Sequence, residues 1–110
     1  MTEDNTARIA ALNDAFRTSF RGGKVLLTQG IVSLPAGDIE AITDKVRGFT
    51  DFSEENDPHG EHDFGSFKQE GVNIFWKIDY YDKAVEWGSP DPADPEVTTR
   101  VLTILLAEEY

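Results

Sequence analysis

One segment in the second half of the chain constrains the fold more than any other. Apolar or aromatic residues fall at every second position, at Val72, Ile74, Trp76, Ile78 and Tyr80. Residues at this spacing share one face of a β-strand. The opposite face, which carries Asn73, Phe75, Lys77, Asp79 and Tyr81, is predicted to be amphipathic and partly exposed. Because the turn dipeptide Glu70-Gly71 precedes this segment, we predict a β-hairpin over residues 64–82.

Two other segments have the periodicity of amphipathic helices. The first has Ile9, Leu12, Phe16 and Phe20 on one helical face, which predicts a helix over residues 4–20. Thr2 or Asn5 is the expected N-cap, and Gly22-Gly23 is the expected stop. A second helix is predicted over residues 36–48, from the spacing of Ile39, Ile42, Val46 and Phe49.

The remaining segments predict strands and loops. Residues 24–34 are rich in Val, Ile, Leu and Thr and predict a strand, in which Gly30 indicates a bulge or a dividing turn. Residues 98–106 favour a strand that pairs with 72–82, but Asp94-Pro95-Glu96 is also a good helix start, so both alternatives stay open. Residues 50–63 and 88–95 are predicted loops, because the first has no periodicity and the second has three prolines.

Together these elements predict one α+β domain over residues 1–110. Two amphipathic helices would pack on one face of a small, mostly antiparallel sheet of three to four strands. The chain has no cysteine, which excludes disulfides, thiolate metal sites and cysteine nucleophiles. No apolar run approaches the roughly 20 residues of a membrane span. We therefore expect a soluble, cytoplasmic protein.

The negative charge is confined to the second half of the chain. The net charge is −11, yet residues 1–50 contain six bases and six acids, whereas residues 51–110 contain four bases and fifteen acids. Phosphate groups need a basic face, so direct binding of nucleic acid is not expected. Such a charge asymmetry indicates a basic partner, although solubility alone is the simpler explanation.

A short segment concentrates side chains that could bind a metal. His59, Glu61, His62 and Asp63 lie within five residues and are candidate ligands for a divalent metal. The alternative is structural: Asp57-Pro58-His59-Gly60 fits a β-turn, and the following residues would fix the loop by hydrogen bonds. The chain has only these two histidines and no H-E-x-x-H motif, so no known metal-site pattern is complete.

Other catalytic patterns are missing from the sequence. There is no G-x-S-x-G motif and no glycine-rich phosphate loop before a helix, so no catalytic residue is predicted. The segment Trp76 to Asp82 is instead a candidate recognition surface, to which Phe75 and Trp87 could contribute, because Trp and Tyr supply large, rigid contact areas.

Several blocks of the sequence resemble a known family. DPHGEHDFGSF, IFWKIDYYD and GSPDPADPEVTTRVLTILLAEEY resemble the signature blocks of a bacterial domain-of-unknown-function family of small acidic proteins. The resemblance extends to IAALNDAFRTSF and GGKVLLTQGIVSLP. It implies no established activity, cofactor or catalytic residue. Members look like cargo of plasmids and other mobile elements, which favours an accessory or anti-defence role.

We therefore expect a non-enzymatic binding protein or inhibitor. Its acidic surface would dock on a basic, nucleic-acid-binding surface of a protein partner, as DNA-mimicking antirestriction and anti-CRISPR proteins do. The predicted partner-binding residues are Glu54, Glu55, Asp57, Glu61, Asp63, Asp79, Tyr81, Asp82 and Glu86. The alternative is a small metal-dependent enzyme that uses His59, Glu61, His62 and Asp63; otherwise no cofactor and no membrane contact are expected. The sequence leaves the oligomeric state open, although the Val-, Leu- and Ile-rich C-terminal segment could form a paired edge.

Overall fold

A four-stranded sheet organises the computed structural model, which describes residues 5–110. Along the chain the elements are α1 (Thr6–Ser19), β1 (Gly23–Leu27), α2 (Gln29–Val32), α3 (Ala36–Arg47), β2 (Phe64–Gln69), β3 (Val72–Tyr81), β4 (Thr99–Leu106) and a 3₁₀ turn (Ala107–Glu109). The strand order is β1-β4-β3-β2. β1 and β4 pair in parallel, whereas β4 with β3 and β3 with β2 pair antiparallel. The predicted α+β class with a mostly antiparallel sheet is confirmed.

The predicted hairpin is present with the expected turn. Glu70 and Gly71 have φ angles of 49° and 79°. Two successive positive values are typical of the two-residue loops that connect the strands of a β-hairpin. β2 and β3 pair from Phe64↔Lys77 to Gln69↔Val72. The alternating faces of β3 are as predicted, because Ile74, Trp76 and Ile78 are buried and the opposite face is partly exposed.

The C-terminal segment forms a strand in the interior of the sheet. β4 lies between β1 and β3 and pairs with β3 from Thr99↔Tyr81 to Leu106↔Ile74. The alternative helix is wrong: the Asp94 carboxylate accepts the Glu96 N–H at 2.9 Å, as a helix N-cap would, but residues 99–106 are paired as a strand with both β1 and β3. The expected paired edge is also wrong for this segment, since both sides of β4 are already paired.

The core lies between one face of the sheet and all three helices. Its buried members are Phe16, Ile31, Ile42, Val46, Ile74, Trp76, Ile78, Leu102 and Ile104. α1, α2 and α3 each contribute at least one of them. The packing of two predicted helices on one sheet face is therefore confirmed, and α2 joins them on that face.

The segment 24–34 is not one strand. β1 ends at Leu27, and residues 29–32 form a single helical turn that buries Ile31. Glu109 explains the change, because its carboxylate accepts hydrogen bonds from the Gly30 N–H at 3.0 Å and the Thr28 hydroxyl at 2.6 Å. A Cβ on Gly30 would lie only 2.7 Å from the Glu109 carboxyl carbon. The predicted bulge or turn between two short strands at Gly30 is therefore wrong, because Gly30 lies within the helical turn that follows β1.

The helix boundaries agree closely with the periodicity. α1 begins at Thr6, one residue after Asn5, whose side chain makes no capping hydrogen bond; Thr2, the other predicted cap, lies outside the described residues. α1 ends before Gly22-Gly23, because Phe20 already adopts a left-handed conformation with φ 59°. Among residues 5–110, no helix is both long enough and apolar enough to cross a membrane.

A change at Gly65 tests the packing of the core. A Cβ at this position would lie 2.3 Å from Trp76 Nε1 and 2.8 Å from Phe49 Cζ, so the fully buried indole must shift. We expect Gly65→Ala to lower the free energy of unfolding by about 1–3 kcal/mol, measured by urea denaturation. The matched control is Gly37→Ala in α3, where a Cβ meets nothing within 4 Å. Equal stabilities of the two variants would contradict this account.

Candidate functional site

Two acidic loops leave the sheet at the same end. The first acidic loop (residues 50–63) leads into β2, and the second acidic loop (residues 82–98) joins β3 to β4. The pairing registers place the start of β2, the end of β3 and the start of β4 together. The two loops contain eleven of the fifteen acidic residues of segment 51–110 and a single base, Lys83. The fold therefore gathers at one end of the sheet most of the charge that the sequence confines to its second half.

A buried polar network connects the two loops. The fully buried Asn13 of α1 donates to the Glu61 carbonyl at 2.9 Å and to the Tyr80 hydroxyl at 2.8 Å. Its side-chain oxygen accepts from Arg100 Nε at 2.6 Å. Arg100 also donates to the Pro92 carbonyl at 2.6 Å. One amide and one guanidinium thus fix a backbone carbonyl in each loop.

The Tyr80 hydroxyl in this network keeps its proton at neutral pH and can donate a hydrogen bond. Burial raises the pKa of Tyr80 well above its usual range, and the nearby Glu61 carboxylate raises it further. The Tyr80 hydroxyl can therefore donate to Glu61 Oε1, which lies 2.8 Å away. Burial also lowers the pKa of Arg100, whose guanidinium lies over the Tyr80 ring at 5.2 Å.

His62 fastens the first acidic loop from within. Its backbone N–H lies 3.2 and 3.3 Å from the two carboxylate oxygens of Asp57. Its ring nitrogen Nδ1 lies 3.0 Å from both oxygens of Asp14, and the ring stacks on Phe52 with centroids 3.9 Å apart. His62 has a φ of 57°, so these contacts hold a backbone conformation that a residue with a side chain rarely adopts. His62 therefore acts in the structure as a loop anchor.

Arg17 fastens the beginning of the same loop. The side chain is 3 % exposed and donates to the carbonyls of Val46 and Phe49, each at 3.0 Å. Its guanidinium also pairs with Asp14 at 2.9 Å. Because Asp14 contacts both Arg17 and His62, one carboxylate of α1 joins the two anchors.

The predicted partner-binding residues fall into two groups. Glu54, Glu55 and Glu86 are exposed, and none makes a side-chain hydrogen bond within residues 5–110. The others are engaged or partly buried. Two carboxylates of this second group contact other parts of the protein: Asp57 is 8 % exposed and accepts the His62 N–H, and Glu61 accepts the Tyr80 hydroxyl.

The rest of the second group lies between these extremes. Asp79 pairs with Lys77 on the sheet face away from the helices, where Tyr81 is also half-buried. Asp82 accepts the Glu86 N–H at 3.0 Å and so shapes the second acidic loop. Asp63 is half-buried at the end of the first loop. These residues therefore lie beside the acidic end, which is the end of the sheet that carries the two acidic loops. Glu54, Glu55 and Glu86 lie at its surface.

The arginines that contact the second acidic loop bind its backbone: Arg8 donates to the Ala93 carbonyl and Arg100 to the Pro92 carbonyl, each at 2.6 Å. Within residues 5–110, no carboxylate of either loop forms an ion pair with a lysine or arginine, and the only pair is between Asp57 and His62 at 3.7 Å. Trp87 of the second loop is 75 % exposed and lies directly after Glu86. The end of the sheet therefore combines unpaired negative charge with an exposed aromatic ring.

The candidate metal ligands are dispersed by these contacts. In the part of the chain that the structure describes, no three His, Cys, Asp or Glu side chains are grouped so that they could hold a metal ion. His62 faces Asp14, Glu61 faces Tyr80, and His59 lies on the exposed side of the loop. The metal alternative thus has no arranged ligand set in residues 5–110.

A cleft of about 320 Å³ brings the two candidate segments together. It lies between the first acidic loop and β3, and its walls include His59, Asp63, Lys77, Asp79 and Tyr110. Burial raises the pKa of Asp63, and the neighbouring Glu61 carboxylate adds to the shift. The sequence analysis placed His59 and Asp63 in the candidate metal segment and Lys77 and Asp79 in the candidate recognition segment, and the fold brings residues of both segments to one cleft.

Three anchoring residues were missed by sequence reasoning. Asn13, Arg17 and Arg100 are each at most 4 % exposed. For Asn13 and Arg17 the sequence contained a clue to their burial. Ile9, Asn13 and Arg17 follow one another at intervals of four and so share the buried face of α1. Polar residues on such a face need buried partners.

The fold and the site define a small α+β domain with an acidic end held in place by buried polar contacts. The chain belongs to the family described as protein of unknown function DUF3768, whose model matches residues 27–109. The resemblance to a domain-of-unknown-function family is therefore confirmed, although the block IAALNDAFRTSF lies before the matched region. No curated protein matches the chain, and no solved structure does.

The half-buried Asp63 predicts a pH-dependent gain in stability. Its pKa is raised in the folded protein, so its favourable contribution is complete below about pH 4, the ordinary pKa of an aspartate, and is lost as pH rises through the raised value. We expect Asp63→Asn to raise the free energy of unfolding at pH 7 and to have little effect near pH 3. Glu54→Gln in the same loop controls for the loss of one charge. A gain for Asp63→Asn that is equal at both pH values would contradict the burial argument.

Proposed function

We propose that this protein is a non-enzymatic binding protein whose acidic end docks on a basic surface of a protein partner. The observation that carries the proposal is the convergence of both acidic loops at one end of the sheet, with no lysine or arginine paired to their carboxylates in residues 5–110. Complementary potentials of this kind accelerate encounter and select the partner.

The internal contacts of the loops support such a role. Ordering flexible loops during association reduces affinity, whereas a surface that is already ordered avoids this cost. Arg17 and His62 fasten the first acidic loop, and Asn13 and Arg100 connect it to the second. The exposed carboxylates are thus presented by backbones that are tied to the core.

Trp87 adds an anchor of a different kind. Tryptophan is enriched among the few residues that dominate binding energy at protein interfaces. With 75 % of its surface exposed, Trp87 has most of its indole available for burial against a partner. Glu86, which precedes it in the chain, is also exposed.

The partner surface that fits best is one that otherwise binds nucleic acid. Such surfaces present lysine and arginine to phosphates, and fixed carboxylates can occupy the same positions. We therefore propose an accessory or inhibitory role of the kind performed by DNA-mimicking antirestriction and anti-CRISPR proteins, exercised in the cytoplasm.

Charge reversal in the first acidic loop tests the proposal. The immobilised double variant Glu54→Lys/Glu55→Lys is compared with wild type for proteins captured from a lysate of the source cells at about 0.1 M salt. We expect a protein that wild type captures, that about 1 M salt or added duplex DNA releases, and that the double variant fails to capture, because its loop has lost the complementary charge.

The matched control is Glu40→Lys/Glu108→Lys. Both residues are exposed and lie outside the two loops, so the net charge changes equally. Capture that survives in the control and disappears in the loop variant supports docking by the acidic end. Equal capture by all three proteins, or capture insensitive to both salt and DNA, would refute it.

Truncation of the exposed indole tests the anchor. We expect Trp87→Ala to weaken binding of the captured protein by about 30-fold, which corresponds to about 2 kcal/mol, because a large buried contact is lost. Trp87→Phe keeps an aromatic ring and should retain most of the affinity. Calorimetry that gives the same dissociation constant for Trp87→Ala and wild type would remove Trp87 from the interface.

A further inference from the structure

The two edges of the sheet are protected to different degrees. At the β2 edge, Lys45 donates to the Lys68 carbonyl at 3.1 Å, and Gln69 bonds to Asp38 of α3. The first acidic loop also lies beside this edge, because Asp51 and Glu55 line a cleft with Phe64 to Ser66. Side-chain contacts and charge are common means of blocking an edge strand from further pairing.

The β1 edge has no comparable protection. The Thr28 N–H donates to the Ile104 carbonyl at 3.1 Å, so by alternation the peptide groups of Val25 and Leu27 point away from β4. Among residues 5–110, no backbone or side-chain group bonds to the outward side of Val25 or Leu27. The strand GKVLL contains no proline and only one charge, Lys24.

Exposed aliphatic side chains lie at the same edge. Leu26 of β1 is 50 % exposed on the sheet face away from the helices. Val32 is 47 % exposed in α2, which follows β1 after one residue and packs against it. An unpaired strand with exposed aliphatic residues is a template for pairing with another strand.

We propose that two copies of this chain pair through their β1 strands to form one continuous eight-stranded sheet. Antiparallel pairing about a two-fold axis makes Leu26 face Leu26 of the second copy. Val25 and Leu27 then exchange both backbone hydrogen bonds with Leu27 and Val25 of the second copy, since their peptide groups point outward. The Leu26 pair falls between these bonds, where facing side chains are closest.

The charge distribution favours this occupant of the edge. β1 carries one base, Lys24, near its start, and the Glu109 carboxylate lies beside its end on Thr28, so antiparallel pairing brings opposite charges toward each other. Antiparallel pairing also directs the acidic ends of the two copies to opposite ends of the joined sheet. A net charge of −11 per chain would oppose an arrangement in which those ends adjoin.

The test is the oligomeric state of the full chain by sedimentation equilibrium, from about 1 μM to about 1 mM. We expect wild type to dimerise in this range and Leu26→Lys to weaken the dimer by at least about tenfold, because two ammonium groups would meet at the axis. Val85→Lys is the matched control, since Val85 is also an exposed aliphatic residue, at 38 %, but lies in the second acidic loop. This control should dimerise as wild type does.

Amide hydrogen exchange identifies the surface. The amides of Val25 and Leu27 should become protected as wild-type concentration rises and should stay unprotected in Leu26→Lys. A chain that is monomeric throughout the range overturns the proposal. So does a dimer that persists in Leu26→Lys, or one that forms while both amides remain unprotected.

Discussion

The hydrogen bond between Arg100 and Asn13 is the contact on which the arrangement of the acidic end depends. A guanidinium that is 4 % exposed needs acceptors within the protein, and the structure supplies the Asn13 side-chain oxygen of α1 for Nε and the Pro92 carbonyl of the second acidic loop for Nη2. The same amide serves the first acidic loop and Tyr80. One group of polar atoms thereby links α1, the sheet and both loops, in addition to the apolar packing of Phe16 and the contacts of Arg17 and His62.

Charge and structure have separate roles within the loops. The carboxylates of Asp57, Glu61 and Asp82 accept hydrogen bonds from other groups of the protein. The side chains of Glu54, Glu55 and Glu86 are instead exposed at the surface. A high density of acidic residues is therefore not equivalent to a high density of available charge. Fewer carboxylates are available to a partner than the composition implies, and the loops that carry them are hydrogen-bonded to α1 and β4.

Most of the fold could be predicted because periodicity reports burial directly. The alternation in β3 and the helical spacing in α1 and α3 each identified the face that packs, and the Glu70-Gly71 turn fixed the hairpin. The end of β1 could not be predicted, because it depends on Glu109, which is about eighty residues away along the chain. For the same reason the sequence could suggest that His62 fixes a loop but not that Asp14 is its partner. Long-range polar contacts leave little local signal, whereas a buried stripe of apolar residues leaves a clear one.

The family match begins at Leu27, whereas α1 and most of β1 precede it. Yet α1 supplies Asn13, Asp14 and Arg17, which are the partners of Arg100, His62 and the start of the first acidic loop. The region that matches the family is consequently packed and hydrogen-bonded against α1, which lies outside it. Without α1, Arg100 would keep the Pro92 carbonyl but lose Asn13, His62 would keep Asp57 but lose Asp14, and the core would be uncovered where Phe16 now packs.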